Sequence, residues 1–276
     1  MTTATAGPGP ETATAPIVED IVRADARRRL RFRIIFVATW VLVVGGFISY
    51  LVAVDALDLG FLDPWYPFIL EGVPLTIVIS VVSIALAIVF ALLGAMGRIS
   101  TVAPVYALST LYVSLVRGTP LIVQIFFVWL ALPQIWEGFG GVELIYLGIF
   151  ALAFNYGAYM TEIFRAGIQA VPRGQREAAA ALGLTQRRIM ARIVLPQAIR
   201  IVTPAVGNEF IAMIKDTALL SVIGVQELLW KAQTLGSQKF RMLETLLLAA
   251  LVYWVLTIIF SYFQERLEQR MARGDR

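Results

Sequence analysis

The chain has 276 residues, of which 59% are hydrophobic and only 15% are charged, whereas a soluble domain carries about 25% charged residues. This excess of apolar residues excludes an ordinary soluble globular protein. The sequence has no Cys and no His, so disulfides and thiol catalysis are excluded, and the commonest metal ligand and general base is missing. The net charge of +4 is modest and gives no support for a nucleic-acid partner.

Six apolar stretches of roughly 20 residues are each long enough to cross a hydrocarbon layer of about 30 Å. The sequence therefore predicts an all-α membrane protein with six transmembrane helices, at 34–54, 72–95, 104–132, 143–165, 197–225 and 243–263. The Thr-, Ala- and Pro-rich start has no apolar core and leads into an arginine cluster, which predicts a disordered basic tail over 1–33. A second short tail is expected over 264–276.

The placement of basic residues predicts which side of the membrane each loop faces. Six crossings return the C-terminus to the side of the N-terminus. With both termini in the cytoplasm, 18 of the 23 Lys and Arg residues fall in cytoplasmic segments, as the positive-inside rule requires. The acidic and aromatic loop at 55–71 is then expected to face outward.

The longest polar segment between spans, 166–200, predicts two short helices joined by a glycine. The first helix is rich in Ala, Gly183 suits a left-handed turn after it, and Pro196 is expected to end the second helix. In the second helix Ile189 and Ile193 share one face, so this helix is amphipathic and needs a surface to lie against. One interpretation is a helix that lies in the membrane interface.

A motif in this segment resembles the signature loop of the membrane subunits of ATP-binding-cassette (ABC) importers. It runs Glu-Ala-Ala, then a glycine after three more residues, then Ile-Val-Leu-Pro after another nine. The residues that carry it are Glu177, Ala178, Ala179, Gly183, Ile193, Leu195 and Pro196. The resemblance implies a coupling helix that docks on a separate ATPase subunit. Small Ala side chains allow close docking, Glu177 can pair with an Arg of the partner, and Gly183 permits the turn.

Other stretches are similar to the branch of this family that takes up polar amino acids. They include Gly-Val-Pro-Leu-Thr at 72–76, Arg-Gly-Thr-Pro-Leu at 117–121 and the run at 157–167. The resemblance covers about 70–263 and implies a type I ABC importer core of five transmembrane helices, to which this chain adds the helix at 34–54. Such an addition resembles the longer glutamate-uptake permeases of actinobacteria. Ala218 stands where the family more often has Ser.

Ionisable residues inside spans cost about 2.5–3.5 kcal/mol each on insertion scales, so each needs a partner or a water-lined cavity. Glu209 is one such residue. A proline in the third span removes a backbone hydrogen bond and predicts a break there, and broken helices near the midplane often hold substrate. Our candidates for a substrate pathway are Arg117, Thr119, Pro120, Asn155, Tyr156, Glu162, Lys215 and Asp216.

Most of these candidates also have a purely structural interpretation. Arg117 could bind a substrate carboxylate bidentately, or it could form a salt bridge to a carboxylate of another span. Asn155 and Tyr156 could donate hydrogen bonds to a substrate, or to a neighbouring helix. Lys215 and Asp216 are adjacent and point roughly 100° apart on a helix, so each needs its own partner, along the pathway or in the bundle.

Glu162 is a weaker candidate, because Arg165 lies three residues later on the same helix face and can pair with it.

The chain has no Gly-x-x-x-x-Gly-Lys-Ser/Thr motif for ATP phosphates. No cofactor or metal is therefore expected in this chain, which is a transport subunit and not an enzyme, and ATP and Mg are expected in a partner ATPase.

The sequence thus predicts the permease subunit of an ATP-driven importer of a polar amino acid, glutamate or a relative such as glutamine or aspartate. The resemblance implies four partners in a bacterial plasma membrane: a cytoplasmic ABC ATPase dimer, a second homologous but different permease, an extracytoplasmic solute-binding protein and membrane lipids. One alternative is an ion- or proton-coupled secondary amino acid transporter that uses Glu162, Lys215 or Asp216. Another is a membrane scaffold that transports nothing.

Overall fold

A computed structural model describes residues 10–272 of the chain, with side chains from Asp25 to Met271 apart from residue 26. Within this range the secondary structure is helical and contains no strand. The predicted all-α fold class is therefore confirmed. The chain divides into two compact units, Met1–Leu59 and Gly60–Arg276.

The first unit is dominated by one long helix, α1 (Pro10–Ala53). Residues 10–33 are therefore helical, which corrects the disordered tail expected over 1–33. Residues 1–9 and 273–276, also predicted as tail, lie outside the described residues. The physical reason is composition, because Ala, Arg and Glu are good helix formers and Pro10 occupies a helix start, where its missing N–H is not needed.

From Leu59 onward the chain folds into shorter and longer helices in sequence. They are α2 (Leu59–Leu62), α3 (Tyr66–Leu70), α4 (Gly72–Arg98), α5 (Ala103–Arg117), α6 (Leu121–Phe126), α7 (Leu132–Ile135), α8 (Leu144–Ala170), α9 (Arg173–Ala181), α10 (Gln186–Ile189), α11 (Leu195–Asp216), α12 (Leu228–Lys239) and α13 (Met242–Ala272). Two π-helical turns, Phe127–Ala131 and Met190–Val194, join α6 to α7 and α10 to α11. Tighter 3-10 turns follow α7 and α11, at Glu137–Phe139 and Thr217–Ile223.

Five helical segments of the described chain are long and apolar enough to cross a membrane. They are Arg27–Ala53, Tyr66–Arg98, Leu144–Ala170, Gln186–Ile223 and Met242–Met271. A bent pair of helices, Ala103–Arg117 with Leu121–Ile135, makes a sixth if it is counted as one span. Each predicted span overlaps one of these segments, and the pair corresponds to the predicted third span. The helices extend beyond the predicted bounds, most of all before the fifth span, which was predicted from 197 and begins at Gln186.

The centre of the second unit is the packing of α4 along α8. A stripe of small residues, spaced three or four apart, forms the buried face of α4: Thr76, Ser80, Ser83, Ala87, Ala91 and Gly94. Small side chains let two membrane helices approach closely. The approach is tight, because a Cβ on Gly94 would lie 2.2 Å from Oγ1 of Thr161 on α8.

The polar segment after α8 folds back on its own chain. Val171, Ala179, Ile189 and Val194 form a small buried cluster that holds α9 and α10 together. The apolar face of the second helix is therefore covered by this cluster. Gly183, between α9 and α10, has a φ of +79°, and the predicted left-handed turn is confirmed.

The prediction that Pro196 ends the second helix is wrong. The π-turn Met190–Val194 carries the helix from α10 directly into α11. Pro196 lies in the first turn of α11. A proline is tolerated there, since the N–H groups of a first helical turn have no partner within that helix.

Candidate functional site

The first part of the site is the break between α5 and α6. Helix α5 ends at Arg117, and Pro120 has an extended backbone with φ −63° and ψ 138°. The bend between the two helical segments is 108°. The predicted break at Pro120 is confirmed, and its cause is the missing N–H and fixed φ of proline.

The side chain of Gln124 satisfies backbone groups that the break leaves open. Its Nε2 donates to the carbonyl oxygens of Val116 at 2.8 Å and Thr119 at 3.1 Å, and to Oγ1 of Thr119 at 2.9 Å. Its Oε1 accepts a hydrogen bond from Nδ2 of Asn155 on α8, at 3.0 Å. Asn155 therefore forms a hydrogen bond to a neighbouring helix, which is the structural one of the two interpretations given for it above. Sequence reasoning missed Gln124, although a lone amide in an apolar run is a visible signal.

Arg117 lies beside the break, with its side chain exposed. The guanidinium stands over the ring of Tyr159 on α8, 5.2 Å from the ring centroid. Among the described residues Arg117 forms no ion pair, so the salt bridge to another span, which was one of its two interpretations, is not found. A cation over a ring face keeps its in-plane N–H donors directed outward. Arg117 can therefore still donate hydrogen bonds to a carboxylate.

Acidic groups contact the same side of α8 as Arg117 does. The hydroxyl of Tyr156 donates to Oδ2 of Asp216 at 2.8 Å, which joins α8 to the end of α11. Glu209 lies seven residues before Asp216 on the same face of α11, and the two carboxylates interact electrostatically. Tyr156 and Tyr159 are one turn apart on α8. Arg117 and Asp216, a cationic and an anionic group, therefore contact α8 one turn apart.

Lys215 takes part in none of these contacts. Its side chain is exposed, and it forms no ion pair within the described part of the chain. Asn208, two turns earlier on α11, is exposed as well, but its Oδ1 accepts a hydrogen bond from Nε2 of Gln264 on α13 at 3.0 Å. Lys215 is thus an exposed cation on a helix long enough to span a membrane.

Glu162 lies in an ion network at the far end of α4. Its Oε1 accepts from Nε of Arg98 at 3.1 Å, and its Oε2 accepts from Nη2 of Arg165 at 2.6 Å. Nη1 of Arg98 also donates to the hydroxyl groups of Tyr106 and Thr110 on α5. The pair with Arg165 follows the sequence interpretation, whereas Arg98 is a partner that sequence spacing did not indicate. The network joins α4, α5 and α8.

The second part of the site is the surface of α9 and α10. Glu177 and Ala178 are exposed, as are Gly183, Leu195 and Pro196. Ala179 and Ile193 instead pack against the chain, in and around the buried cluster. These two predicted docking residues therefore position the surface and do not form it.

Leu182, at the end of α9, is 83% exposed. It precedes the left-handed turn at Gly183, and sequence reasoning did not single it out. The signal was available, because a large apolar residue in a polar loop has no reason to be exposed unless something covers it.

In the described part of the chain no group of three or more acidic residues is placed to hold a metal ion.

These features define a membrane-embedded permease, and residues 84–273 match the family model described as a binding-protein-dependent transport system inner membrane component. The chain belongs to this family. It is the permease subunit of an amino acid ABC importer of the bacterial inner membrane, a transport subunit and not an enzyme. The ATPase activity of such an importer lies in a separate subunit.

Several curated relatives are similar over most of the chain. The arginine transport system permease protein ArtQ of Bacillus subtilis (strain 168) is 36% identical over 219 residues, which is 79% of this chain and 99% of that protein. The L-cystine transport system permease protein TcyB of the same organism is 37% identical, over 79% of this chain and 95% of its own length. The glutamine transport system permease protein GlnP of Escherichia coli (strain K12) is 34% identical, over 75% and 94%.

Solved structures give the same result for the fold. The structure of an amino acid ABC transporter with histidines superposes with a TM-score of 0.72 and 35% identity, and covers 78% of this chain and 99% of its own. An inward-facing structure of the MetNI methionine ABC transporter gives a TM-score of 0.62 at 17% identity, over 76% and 98%. The second likeness shows the fold alone.

Proposed function

We propose that this permease carries a polar amino acid, glutamate or a close relative, into the cell, and that the surface of α9 and α10 couples this movement to ATP hydrolysis in an ATPase dimer. The observation that supports the proposal most strongly is the exposed surface around Gly183. This surface carries the loop motif of the family and packs on the buried cluster below α9 and α10. A force applied to the exposed residues is therefore transmitted through that cluster to α8 and α11.

The coupling step depends on the stiffness of this segment. The cluster below α9 includes Val171, next to α8, and Val194, next to α11. When the ATPase dimer closes, the docked surface moves with it, and both spans move because they share this core. Exposed Glu177 is available to an Arg of the partner, and Leu182 is available to an apolar pocket.

The substrate would contact the groups at the break. A free amino acid carries a carboxylate and an ammonium group. Arg117 offers outward N–H donors for the carboxylate, and the acidic pair of Glu209 and Asp216 offers acceptors for the ammonium. Glutamate has a second carboxylate, which Lys215 of this chain or a basic group of the second permease would bind.

The remaining partners follow from the exposed surfaces and the direction of transport. The exposed Lys215 needs a polar neighbour, which a second, homologous permease would supply. A solute-binding protein would deliver the amino acid to the outer loops, including 55–71 and 226–242. Both termini would lie in the cytoplasm, since this places most basic residues inside.

The proposal is tested by copurifying the chain with its membrane and cytoplasmic partners and measuring ATPase activity in liposomes. A solute-binding protein would be added empty, or loaded with glutamate, glutamine, aspartate or arginine. We expect ATP hydrolysis to be stimulated when the loaded amino acid is glutamate. Stimulation by arginine alone would overturn the substrate proposal. Uptake that an uncoupler abolishes at constant ATP would favour the secondary transporter instead.

Coupling is tested with Gly183→Pro, because a proline φ near −65° is incompatible with the φ of +79° at this position. We expect transport to fall at least tenfold while the complex still assembles. Gly174→Ala is the matched control. Gly174 lies in α9, the helix before Gly183, with open space around it, and this variant should transport normally. Normal transport by the Gly183→Pro complex would show that the loop does not couple.

A further inference from the structure

The arginine cluster of α1 is not used by the proposed transport mechanism. The cluster directly precedes the apolar part of the helix, and all five side chains are exposed. Its members are Arg27, Arg28, Arg29, Arg31 and Arg33. We infer that this arginine ring binds the headgroups of anionic phospholipids in the leaflet that surrounds it.

The angular spread of the arginines favours lipid over a protein partner. Successive helical residues are rotated by roughly 100°, so Arg27 and Arg31 lie on one side, Arg28 on a second, and Arg29 with Arg33 on a third. All five fall within about 9 Å along the axis, at 1.5 Å per residue. A helix that docks on a protein presents one stripe, whereas a ring of charge meets headgroups on every side.

The apolar part of α1 also exposes side chains on every side of the helix. Ile35, Phe36 and Val37 point to three different sides, because successive residues are rotated by roughly 100°, and their exposed fractions are 65%, 54% and 58%. A helix that is apolar all round is suited to a hydrocarbon environment. The ring therefore lies at the end of a lipid-contacting helix, at the level where headgroups begin.

The chemistry of the ring matches a phosphate-bearing surface. Asp25 is the one acidic residue within 25–33, so this segment has an excess of positive charge. Guanidinium groups bind phosphate oxygens bidentately. Phe32 is 70% exposed between the arginines, and the aliphatic stems of Arg can lie along apolar chains while the heads reach the phosphates. Basic clusters beside a transmembrane helix are typical binders of anionic lipid.

The arginine ring lies outside the part of the chain that the family model matches. The family model begins at residue 84. The lipid contact is therefore additional to the proposed transport function and does not depend on it.

The test uses the full-length chain in phosphatidylcholine vesicles that contain a small fraction of spin-labelled phosphatidylglycerol or spin-labelled phosphatidylcholine. Electron paramagnetic resonance measures the motionally restricted fraction of each lipid. We expect several-fold selectivity for phosphatidylglycerol, and we expect it to weaken with added salt. No selectivity in the wild-type chain would overturn the inference.

Variants separate the ring from other basic surfaces. Replacing all five arginines by Gln should abolish the selectivity, whereas replacing all five by Lys should keep most of it, because Lys retains the positive charge. The matched control is Arg187→Gln with Arg188→Gln, two exposed arginines of α10, and it should keep the selectivity. Selectivity that survives in the Gln variant would overturn the inference. So would a Gln variant that loses a copurifying protein but keeps its lipid preference.

Discussion

Glu227 is a carboxyl group with no exposed surface. It accepts a hydrogen bond from the backbone N–H of Trp230 at 2.8 Å and another from the hydroxyl of Tyr253. It thereby begins α12 and ties this helix to α13. Burial raises the pKa of Glu227 above its ordinary value of 4.5, although the hydrogen bonds act in the opposite direction.

The pKa shift of Glu227 makes stability depend on pH. A group whose pKa is raised by folding binds more protons in the folded state, so its favourable contribution is complete below pH 4.5 and is lost as pH rises through the raised pKa. We expect the Tm of the purified chain in detergent to fall over this window, and Glu227→Gln to remove that part of the slope.

The control for this measurement is Glu137→Gln, which changes an exposed carboxylate and should keep the wild-type slope. If Glu227→Gln also kept the wild-type slope, the buried carboxyl would not be the source of the pH dependence.

Gly94 tests the close packing of α4 on α8. A methyl group there would approach Oγ1 of Thr161 to 2.2 Å, and overpacking of this kind costs about 1–3 kcal/mol. We expect Gly94→Ala to lower the Tm in detergent by several degrees. Gly46→Ala in α1 has open space around it and should lose nothing. Equal Tm values for the two variants would mean that α4 and α8 are further apart than described.

At the scale of helices, the break after α5 depends on one amide. Gln124→Ala would leave the carbonyls of Val116 and Thr119 without this donor, and an unsatisfied buried polar group costs about 1–3 kcal/mol. We expect a lower Tm and faster proteolysis near residue 120. Gln134→Ala removes a single exposed hydrogen bond to Leu130 and should behave as wild type. A Gln124→Ala chain as stable as that control would contradict this assignment.

Most helices of this fold could be predicted from the sequence. A long apolar run indicates a span, and Pro120 breaks a helix, through interactions between residues close in the sequence. The π-turn at Met190–Val194 could not be predicted, since a single i→i+5 bond leaves no periodic pattern. That turn is also why Pro196 was misjudged. The same limit applies to α1, where the composition of 10–33 suggested disorder but favoured helix once joined to an apolar helix.

The candidate site was predicted only as a set of residue types. Arg117, Asp216 and the loop motif stand out because charge is costly in a span and the motif has fixed spacing. Their partners are set by how α8 packs, and no spacing in the chain indicates that Tyr159 lies under Arg117 or that Arg98 reaches Glu162. Ala179 was assigned to the docking surface because the motif names positions but does not say which side of α9 they face.

For the whole molecule, the orientation in the membrane is the prediction to test. The chain has no native Cys, so single substitutions report cleanly. Leu182→Cys, between α9 and α10, and Glu137→Cys, after α7, are both at exposed positions. A membrane-impermeant maleimide should label Glu137→Cys in intact cells and Leu182→Cys only after the membrane is opened. The reverse pattern would place the termini outside.

The exposed Lys215 on α11 has a consequence for biosynthesis. A chain that inserts alone exposes Lys215 to lipid, and a lysine at membrane depth is unfavourable by about 2.5–3.5 kcal/mol. We expect such a chain to be degraded by membrane proteases that remove unassembled subunits. If the proposed second permease covers Lys215, the abundance of this chain would follow the supply of that partner rather than its own rate of translation.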